Sequence, residues 1–236
     1  MLKIMRYSFE NKVVLVLGGK GNIGTAISDA FGAVGAVVCR HGLTGDYKAN
    51  LKNSNETKRL FLKVLRRHRK IDVLVNAVSA PITIAPFEKK KWSDFSRHFE
   101  VQLKSAVETA LLAIPTMKEQ KSGAIIHVLS TIVDGDIPAS FSDYVTAKYA
   151  LWGLTQAMAK DLGEYGISVN AVSPSFIPND FTKKIPTKTH DFIINDTPIG
   201  RLATPEDVAQ TVLFLASDGA CYITGEAIQI SGGHHL

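Results

Sequence analysis

The sequence lacks the features of a disulfide-rich secreted protein and of a membrane protein. Two cysteines, Cys39 and Cys221, occur in 236 residues, so neither a disulfide framework nor a cysteine-based metal site is predicted. No apolar run approaches the ~18 residues that a membrane span needs. The first ten residues carry Lys3, Arg6 and Glu10 and no apolar signal region. We therefore expect a cytoplasmic protein that does not bind membranes and holds no metal.

Low-complexity segments, internal repeats and linkers are also absent. A chain of 236 residues with 45% hydrophobic content can bury one sizeable core, so a single domain over residues 1–236 is predicted. Part of the net charge of +5 comes from a basic run between Arg66 and Lys70. No aromatic residues alternate with these cations, as they do where nucleic-acid bases stack. We interpret the run as a solvated helix end and not as a nucleic-acid site.

Short apolar runs rich in β-branched residues alternate along the chain with helical patterns. The runs lie at 13–17, 35–39, 71–75, 124–129, 167–172 and 227–230. This alternation is typical of a parallel sheet wrapped by helices. We predict an α/β fold, a doubly wound parallel sheet with helices on both faces.

The first apolar run leads into a glycine-rich turn with the spacing of a phosphate-binding loop. A first glycine permits a tight turn, a second lets the backbone approach a pyrophosphate, and a third lets the following helix pack on the strand. The free N–H groups at the start of that helix would bind the anion. The residues of the turn that we expect to contact a nucleotide are Gly18, Lys20, Gly21, Asn22, Ile23 and Gly24.

A tyrosine and a lysine at helical spacing form a second chemical signal, more than a hundred residues further on. Tyr144 and Lys148 are four residues apart, so they share one face of a helix. A neighbouring ammonium is expected to lower the pKa of the phenol from its usual value of about 10. Such a tyrosine can exchange a proton with a carbonyl or alcohol oxygen. The hydroxyl of Thr131, thirteen residues before Tyr144, or that of Ser130 could hold the same oxygen.

In this order and at this separation, the two signals resemble the short-chain dehydrogenase/reductase family, and the resemblance covers essentially the whole chain. Residues 72–79 (DVLVNAVS) are similar to the strand-four motif of the family, and residues 167–175 (ISVNAVSPS) to its RVNAVSPG stretch. Residues 198–209 and 223–233 resemble members near 3-oxoacyl-acyl-carrier-protein reductase. The resemblance implies a single Rossmann-type domain and hydride transfer between a nicotinamide and a carbonyl or secondary alcohol.

The resemblance also implies a role for each candidate catalytic residue. Tyr144 would be the general acid/base, and Lys148 would lower its pKa and bind the nicotinamide ribose. Thr131 or Ser130 would orient the substrate oxygen, and the thirteen-residue spacing favours Thr131. Gln102 stands where the family has an asparagine that anchors a proton-relay water, and it carries the same amide on a longer arm.

Further cofactor contacts are implied by position. Asn50 falls where the family has an aspartate that reaches the adenine amino group, and an amide oxygen can accept the same bond. The remaining positions with an implied cofactor contact are Arg40, His41, Leu51, Asn76, Ala77, Val78, Tyr144, Lys148, Pro174, Ser175 and Ile177.

The end of the second strand predicts which nicotinamide cofactor is preferred. An acidic side chain there would bind the adenosine ribose hydroxyls and repel a 2′-phosphate. This sequence has Arg40 and no carboxylate before Asp46, and a guanidinium pairs well with phosphate. Lys20 adds a second cation. We predict NADP(H) as the preferred cofactor, with NAD(H) as the alternative.

Two segments depart from a regular alternation of strands and helices. Only the short connection from Gly42 to Gly45 separates the second strand from the third, so the helix that family members carry there is predicted to be missing. Residues 175–200 are rich in proline and, by resemblance, form a mobile substrate lid. The alternative is a long surface loop. Family members commonly assemble, so a homo-oligomer, tetramer or dimer, is expected.

Three functions stay open at this point. The first is an NADP(H)-dependent carbonyl reductase or alcohol dehydrogenase that acts on a small molecule. Quinonoid dihydropteridine reductases trim the same connection, so a pteridine-type reductase is the second. The departures at Gln102, Thr131 and Ser79 leave room for a nucleotide-binding regulatory protein with weak catalysis, against which Tyr144 and Lys148 argue.

Overall fold

The computed structural model describes residues 7–135, 137–178 and 187–234. In these ranges one parallel sheet of seven strands has the order β3-β2-β1-β4-β5-β6-β7. The strands are β1 (Val13–Leu17), β2 (Val37–Gly42), β3 (Tyr47–Lys48), β4 (Val73–Asn76), β5 (Gly123–Val128), β6 (Ile167–Pro174) and β7 (Ala227–Ile230). The predicted doubly wound parallel sheet is confirmed. Its order reverses between β1 and β4, and the carboxyl edge at such a switch point is where open α/β sheets bind ligands.

Helices cover both faces of the sheet. They are α1 (Asn22–Ala33), α2 (Ser54–His68), α3 (Trp92–His98), α4 (Ser105–Gln120), α5 (Ser142–Leu162), α6 (Thr187–Asp196) and α7 (Pro205–Leu215). A π-helical turn, Phe99–Lys104, joins α3 to α4 without a break. The predicted basic helix end is present, since α2 closes at Arg69 in a left-handed conformation directly after three cationic or titratable residues.

The core has two layers because β1 is buried on both faces. Successive side chains of a strand point to opposite faces. Leu15 packs in the layer of α2, α4 and α5 with Phe61 and Met117. Val16 packs in the layer of α1 and α7 with Phe31. The all-apolar composition of this strand therefore reflects a position at the centre of the molecule.

The connection between β2 and β3 is as short as predicted. Four residues, 43–46, join the two strands, which pair in parallel with His41 opposite Tyr47. Gly45 has φ of +89°, a left-handed conformation that permits the tight reversal. β2 itself begins later than the predicted 35–39, because Gly35 also has φ of +89° and breaks the extended chain.

The segment after β6 contains more regular structure than predicted. Residues 187–196 of the predicted lid form helix α6. Residues 179–186 of the lid lie outside the described residues. No helix in the described ranges is long and apolar enough to cross a membrane.

Candidate active site

The glycine turn lies against the end of β4, as a nucleotide-binding turn should. Gly18 has φ of +74°, and a Cβ there would come within 2.8 Å of the Ala77 carbonyl oxygen. A Cβ on Gly24 would overlap the carbonyl of Gly18, so the third glycine brings α1 onto the turn. Only one atom, the Gly18 oxygen at 3.3 Å, lies near a Cβ built on Gly21. The middle glycine thus presents an open backbone face.

Helix α1 starts at this open face without a side-chain cap. Its N-cap is Gly21, and among the described residues it has no side-chain cap. Uncapped N–H groups are satisfied by water or by an anion. Asn22 donates from Nδ2 to the Pro178 carbonyl at 3.2 Å, which ties the turn to the segment after β6. Ile23, in the first turn of α1, is partly buried against the core layer that contains Phe31.

His41 hydrogen-bonds to the backbone of the glycine turn. Its Nδ1 accepts a hydrogen bond from the Gly18 N–H at 3.1 Å, and its Nε2 lies 3.0 Å from the Ala49 carbonyl. This pairing requires the neutral Nε2–H tautomer, and burial lowers the pKa of His41 accordingly. Both nitrogens are therefore engaged by backbone, and the side chain is 4% exposed.

Arg40 and Lys20 lie at the end of β2 beside the turn. Arg40 pairs with Asp29 of α1, with 2.6 Å between Nη2 and Oδ1, and both side chains are exposed. Lys20 lies across the trimmed connection, where a Cβ on Gly42 would come within 2.9 Å of its Cδ. The two cations predicted near an adenosine phosphate thus flank the same stretch of β2.

Asn50 and Leu51, which lie shortly after β3, have different surroundings. The Asn50 N–H donates to Glu56 at 2.8 Å, and its side-chain oxygen accepts from the Lys52 N–H at 3.2 Å. Leu51 is buried in the core with 6% exposure. Only its backbone is available to a ligand.

Buried polar atoms without partners mark the carboxyl edge of the sheet. The Asn76 Oδ1 accepts from the Val78 N–H at 3.4 Å, while its Nδ2 is buried and has no partner among the described residues. Ser173 at the end of β6 likewise has an unpartnered hydroxyl among these residues. Such atoms are rare in folded proteins and indicate a ligand or an ordered water. The remaining candidates here are Ala77, which follows β4, Pro174, which ends β6, and Ser175 and Ile177, which lie beyond it.

Helix α5 brings Tyr144 and Lys148 to the same edge. The Lys148 ammonium is buried, donates to the Val128 carbonyl at 2.7 Å, and lies 5.5 Å from the centre of the Tyr144 ring. The Tyr144 side chain is half-buried, and the neighbouring Ser130 side chain acts to lower its pKa. Thr131, favoured by spacing, is buried at the start of a 3₁₀ turn. Ser130 is extended, with φ of −165°, so the next side chain points the other way.

The pKa of Tyr144 moves in the opposite direction to the sequence prediction. Burial raises the pKa of Tyr144 to about 12, and the hydrogen bond with Ser130 opposes this shift. Burial also lowers the pKa of Lys148 to about 7, so the amine is about half neutral at that pH. The expected lowering of the Tyr144 pKa does not occur, because desolvation disfavours charge on both side chains. The Lys148 ammonium, which was expected to stabilise the phenolate, is itself partly neutral.

Gln102 lies in the π-helical turn and is fully buried. Its Nε2 is 3.0 Å from the Nδ1 of His98, while its Oε1 has no partner among the described residues. π-Helical turns occur frequently at functional sites. His98 also packs edge-on against the Tyr144 ring, with 5.7 Å between ring centres.

The motifs did not reveal the buried charges next to Tyr144. Asp143 and Lys90 form an ion pair of 2.7 Å whose side chains are 0% and 1% exposed. Asp143 directly precedes the tyrosine, and a carboxylate at the start of a helix is ordinarily a surface cap. The only sequence signal was that adjacency.

Comparisons with known proteins decide the family. The profile described as enoyl-(acyl carrier protein) reductase matches residues 23–235. The chain belongs to the short-chain dehydrogenase/reductase family. It is 34% identical to a 3-oxoacyl-[acyl-carrier-protein] reductase FabG of Thermotoga maritima, over 95% of this chain and 98% of that protein. It is also 34% identical to proteins of the same name from Rickettsia felis, over 94% and 96%, and Staphylococcus aureus, over 80% and 76%.

The family resemblance read from the motifs is confirmed, and the family implies a nicotinamide cofactor. The site of this short-chain dehydrogenase/reductase fits one: Gly21 offers open backbone, α1 offers uncapped N–H groups, and Asn76 offers an unused amide. Within the described ranges, no three His, Cys, Asp or Glu side chains are grouped to hold a metal ion.

Proposed function

We propose that the protein is an NADP(H)-dependent oxidoreductase that interconverts a small carbonyl compound and its secondary alcohol, with 3-oxoacyl thioesters as the first substrate class. The observation that carries the proposal is the buried Lys148 ammonium, which is held by the Val128 carbonyl 5.5 Å from the centre of the Tyr144 ring, at the carboxyl edge next to the glycine turn. The substrate class comes from the relatives, which are named 3-oxoacyl-[acyl-carrier-protein] reductases.

Each side chain has a defined task in this reaction. Tyr144, with a pKa of about 12, stays protonated at neutral pH and donates its proton to the developing alkoxide. Ser130 holds the same oxygen by a hydrogen bond. Lys148, with a pKa of about 7, can return a proton to the phenolate without a large free-energy gap. A bound nicotinamide would supply the hydride.

Tyr144→Phe tests the proposed function. It removes the proton donor and keeps the ring, so we expect turnover to fall at least ~100-fold while cofactor affinity stays nearly unchanged. Turnover is measured by oxidation of NADPH with acetoacetyl-coenzyme A, an enoyl thioester, a quinone, a sugar and a quinonoid dihydropteridine. Cofactor affinity is measured by NADPH and NADH fluorescence titration.

Three results would contradict the proposal. Equal turnover in both proteins would exclude Tyr144 as the proton donor. If neither NADPH nor NADH changes fluorescence, the protein binds no nicotinamide cofactor, and the proposed oxidoreductase activity is excluded. Turnover confined to the dihydropteridine would favour the second candidate, a pteridine-type reductase, which the trimmed β2–β3 connection supports.

The preference for NADP(H) is proposed from Arg40. In this structure the Arg40 guanidinium is paired with Asp29, and a 2′-phosphate would compete with Asp29 for this guanidinium. Arg40→Ala should weaken NADPH binding by about tenfold or more and NADH binding far less. Asp29→Asn, the matched control, frees the guanidinium and should tighten NADPH binding. Equal losses for both cofactors on Arg40→Ala would show that the side chain does not contact the phosphate.

We further propose a homo-oligomer and a substrate lid. Large apolar side chains are exposed on α3 and α4, with Trp92 73% exposed and Leu111 66% exposed, and these side chains support a partner surface there. Light scattering tests the assembly by comparing the measured mass with the chain mass of 25.6 kDa.

The hydrogen bond from Asn22 to the Pro178 carbonyl supports a lid, since it links the segment after β6 to the glycine turn.

A further inference from the structure

A chain of four buried side chains leads up to Tyr144. Lys90 donates to Asp143 at 2.7 Å, Asp143 Oδ2 lies 3.7 Å from His98 Nε2, and His98 Nδ1 lies 3.0 Å from Gln102 Nε2. Three polar atoms along it, on Asp143, His98 and Gln102, are buried and have no hydrogen-bond partner among the described residues.

The hydrogen bonds fix the proton on His98. The Gln102 amide nitrogen can only donate, so His98 Nδ1 must accept, and the ring proton is on Nε2. That proton faces the carboxylate of Asp143. One N–H of the Gln102 amide is used by the imidazole, and the amide oxygen is a buried acceptor without a partner among the described residues.

The imidazole is neutral at pH 7 for a physical reason. Burial lowers the pKa of His98 to about 4, and Asp143 opposes this shift. The cations that surround the ring act with burial: Arg97 from its own helix, Lys148 from α5, and Lys90. Protonation would place a second proton on Nδ1 and force the amide of Gln102 to turn over, so that a donor replaced the free acceptor.

The same chain links three segments that surround Tyr144. Lys90 donates to the Thr83 carbonyl, in the segment after β4, as well as to Asp143. Asp143 lies in the first turn of α5, next to Tyr144, and His98 packs edge-on against the tyrosine ring. A buried ion pair is seldom more stable than apolar side chains of the same volume. Its presence here therefore calls for a role beyond stability.

We propose that His98 and Asp143 are positioning residues for the Tyr144 reaction: the carboxylate of Asp143 orients the His98 ring, and the ring holds the Gln102 amide with its oxygen free to accept a hydrogen bond in the buried site beside Tyr144. This inference rests on the proposed function. It assigns to Gln102 a fixed orientation that a longer and more flexible side chain would otherwise lack.

The first test needs no substrate. Nitrogen-15 NMR of histidine-labelled protein reports the tautomer of each ring, and His98→Phe identifies the signal among the seven histidines. We expect a neutral Nε2–H imidazole at pH 7 that is still neutral at pH 5.5. An Nδ1–H tautomer, or a cation at pH 7, would overturn the proposal because the amide would then be reversed.

The second test is a double-mutant cycle with NADPH and acetoacetyl-coenzyme A. His98→Phe and Gln102→Met should each lower kcat about tenfold and shift its pH profile in the same direction. The double variant should be no slower than the slower single variant, because both changes remove one arrangement. His98→Asn should restore most of the activity, since an asparagine carbonyl lies near the position of Nδ1 and can accept from Gln102.

The outcomes separate this inference from the proposed function. If the wild-type protein turns over none of the carbonyl compounds, the proposed function fails, and the NMR result still decides the orientation of Gln102. If the wild type is active, additive losses, an unchanged pH profile, or a kcat that only follows the melting temperature would reduce His98 to a packing role. Cofactor affinity, measured by fluorescence, should be unchanged in all variants.

Discussion

Lys148 is buried like a core residue and yet lies beside the candidate proton donor Tyr144. Its ammonium is buried at 2% exposure and bonded to the Val128 carbonyl, yet it lies next to a partly exposed tyrosine at the mouth of the site. Burial disfavours charge on both side chains, so the resting pair is a neutral phenol beside an amine with a pKa of about 7. At the level of single residues, the site is therefore prepared to donate a proton.

Ser130 and Thr131 allow a matched comparison of adjacent hydroxyls. Ser130→Ala removes the hydroxyl that contacts Tyr144, so kcat/KM should fall about 100-fold, as for loss of one oxyanion donor. Thr131→Val keeps the volume of a buried side chain, and we expect a change of less than ~3-fold. Both are measured with acetoacetyl-coenzyme A and NADPH. A larger loss for Thr131→Val would return the role to the residue that spacing favours.

Sequence reasoning identified the residues with a fixed covalent spacing and missed those that tertiary structure brings together. Tyr144 and Lys148 share a face of one helix, so their proximity follows from the chain. The choice between Ser130 and Thr131 depends on one backbone dihedral angle, and His98 meets Asp143 only when α3 packs on α5. The direction of the pKa shift depends on burial, which no spacing encodes.

At the scale of elements, helix α1 contains two glycines with opposite surroundings. A Cβ on Gly24 would overlap the Gly18 carbonyl, whereas none of the neighbouring atoms in the described part of the chain lies within 4 Å of a Cβ on Gly32. Gly24→Ala should therefore displace the phosphate-binding turn and abolish detectable NADPH fluorescence response. Gly32→Ala, the control, should raise the free energy of unfolding by about 0.5–1 kcal/mol in urea denaturation. Unchanged NADPH binding in Gly24→Ala would show that the turn tolerates the shift.

Some secondary-structure elements were easier to predict from the sequence than others. The strands and the trimmed β2–β3 connection were predictable, because apolar runs and glycines act locally. The π-helical turn at Phe99–Lys104 was not, since its composition is that of an ordinary amphipathic helix and the extra residue is set by packing. Helix α6 was missed because the surrounding prolines dominate the composition of its segment.

For the whole molecule, buried histidines predict how stability depends on pH. Burial lowers the pKa of His98 and of His127 to about 4, so between about 4 and 6.5 the unfolded chain binds protons that the folded chain does not. The free energy of unfolding should fall as the pH drops from 6.5 to 4, by up to about 3 kcal/mol for fully buried His127. Urea denaturation at a series of pH values measures the slope.

His127→Gln is the control for this pH effect. It replaces a buried titrating ring, which bonds to Thr155 at 2.8 Å, by a side chain that does not titrate. The slope between pH 6.5 and 4 should become shallower in this variant. An unchanged slope would assign the acid sensitivity of the protein to other groups.

In the proposed reaction, the burial of Lys148 sets catalysis against the stability of the fold at one position. The environment that brings this amine close to neutral-pH proton exchange is one in which an apolar side chain would be at home. Laboratory evolution for heat resistance alone, with no screen for turnover, would thus be drawn to replace this lysine early. Variants obtained from such a selection would retain the fold and lose the proposed activity.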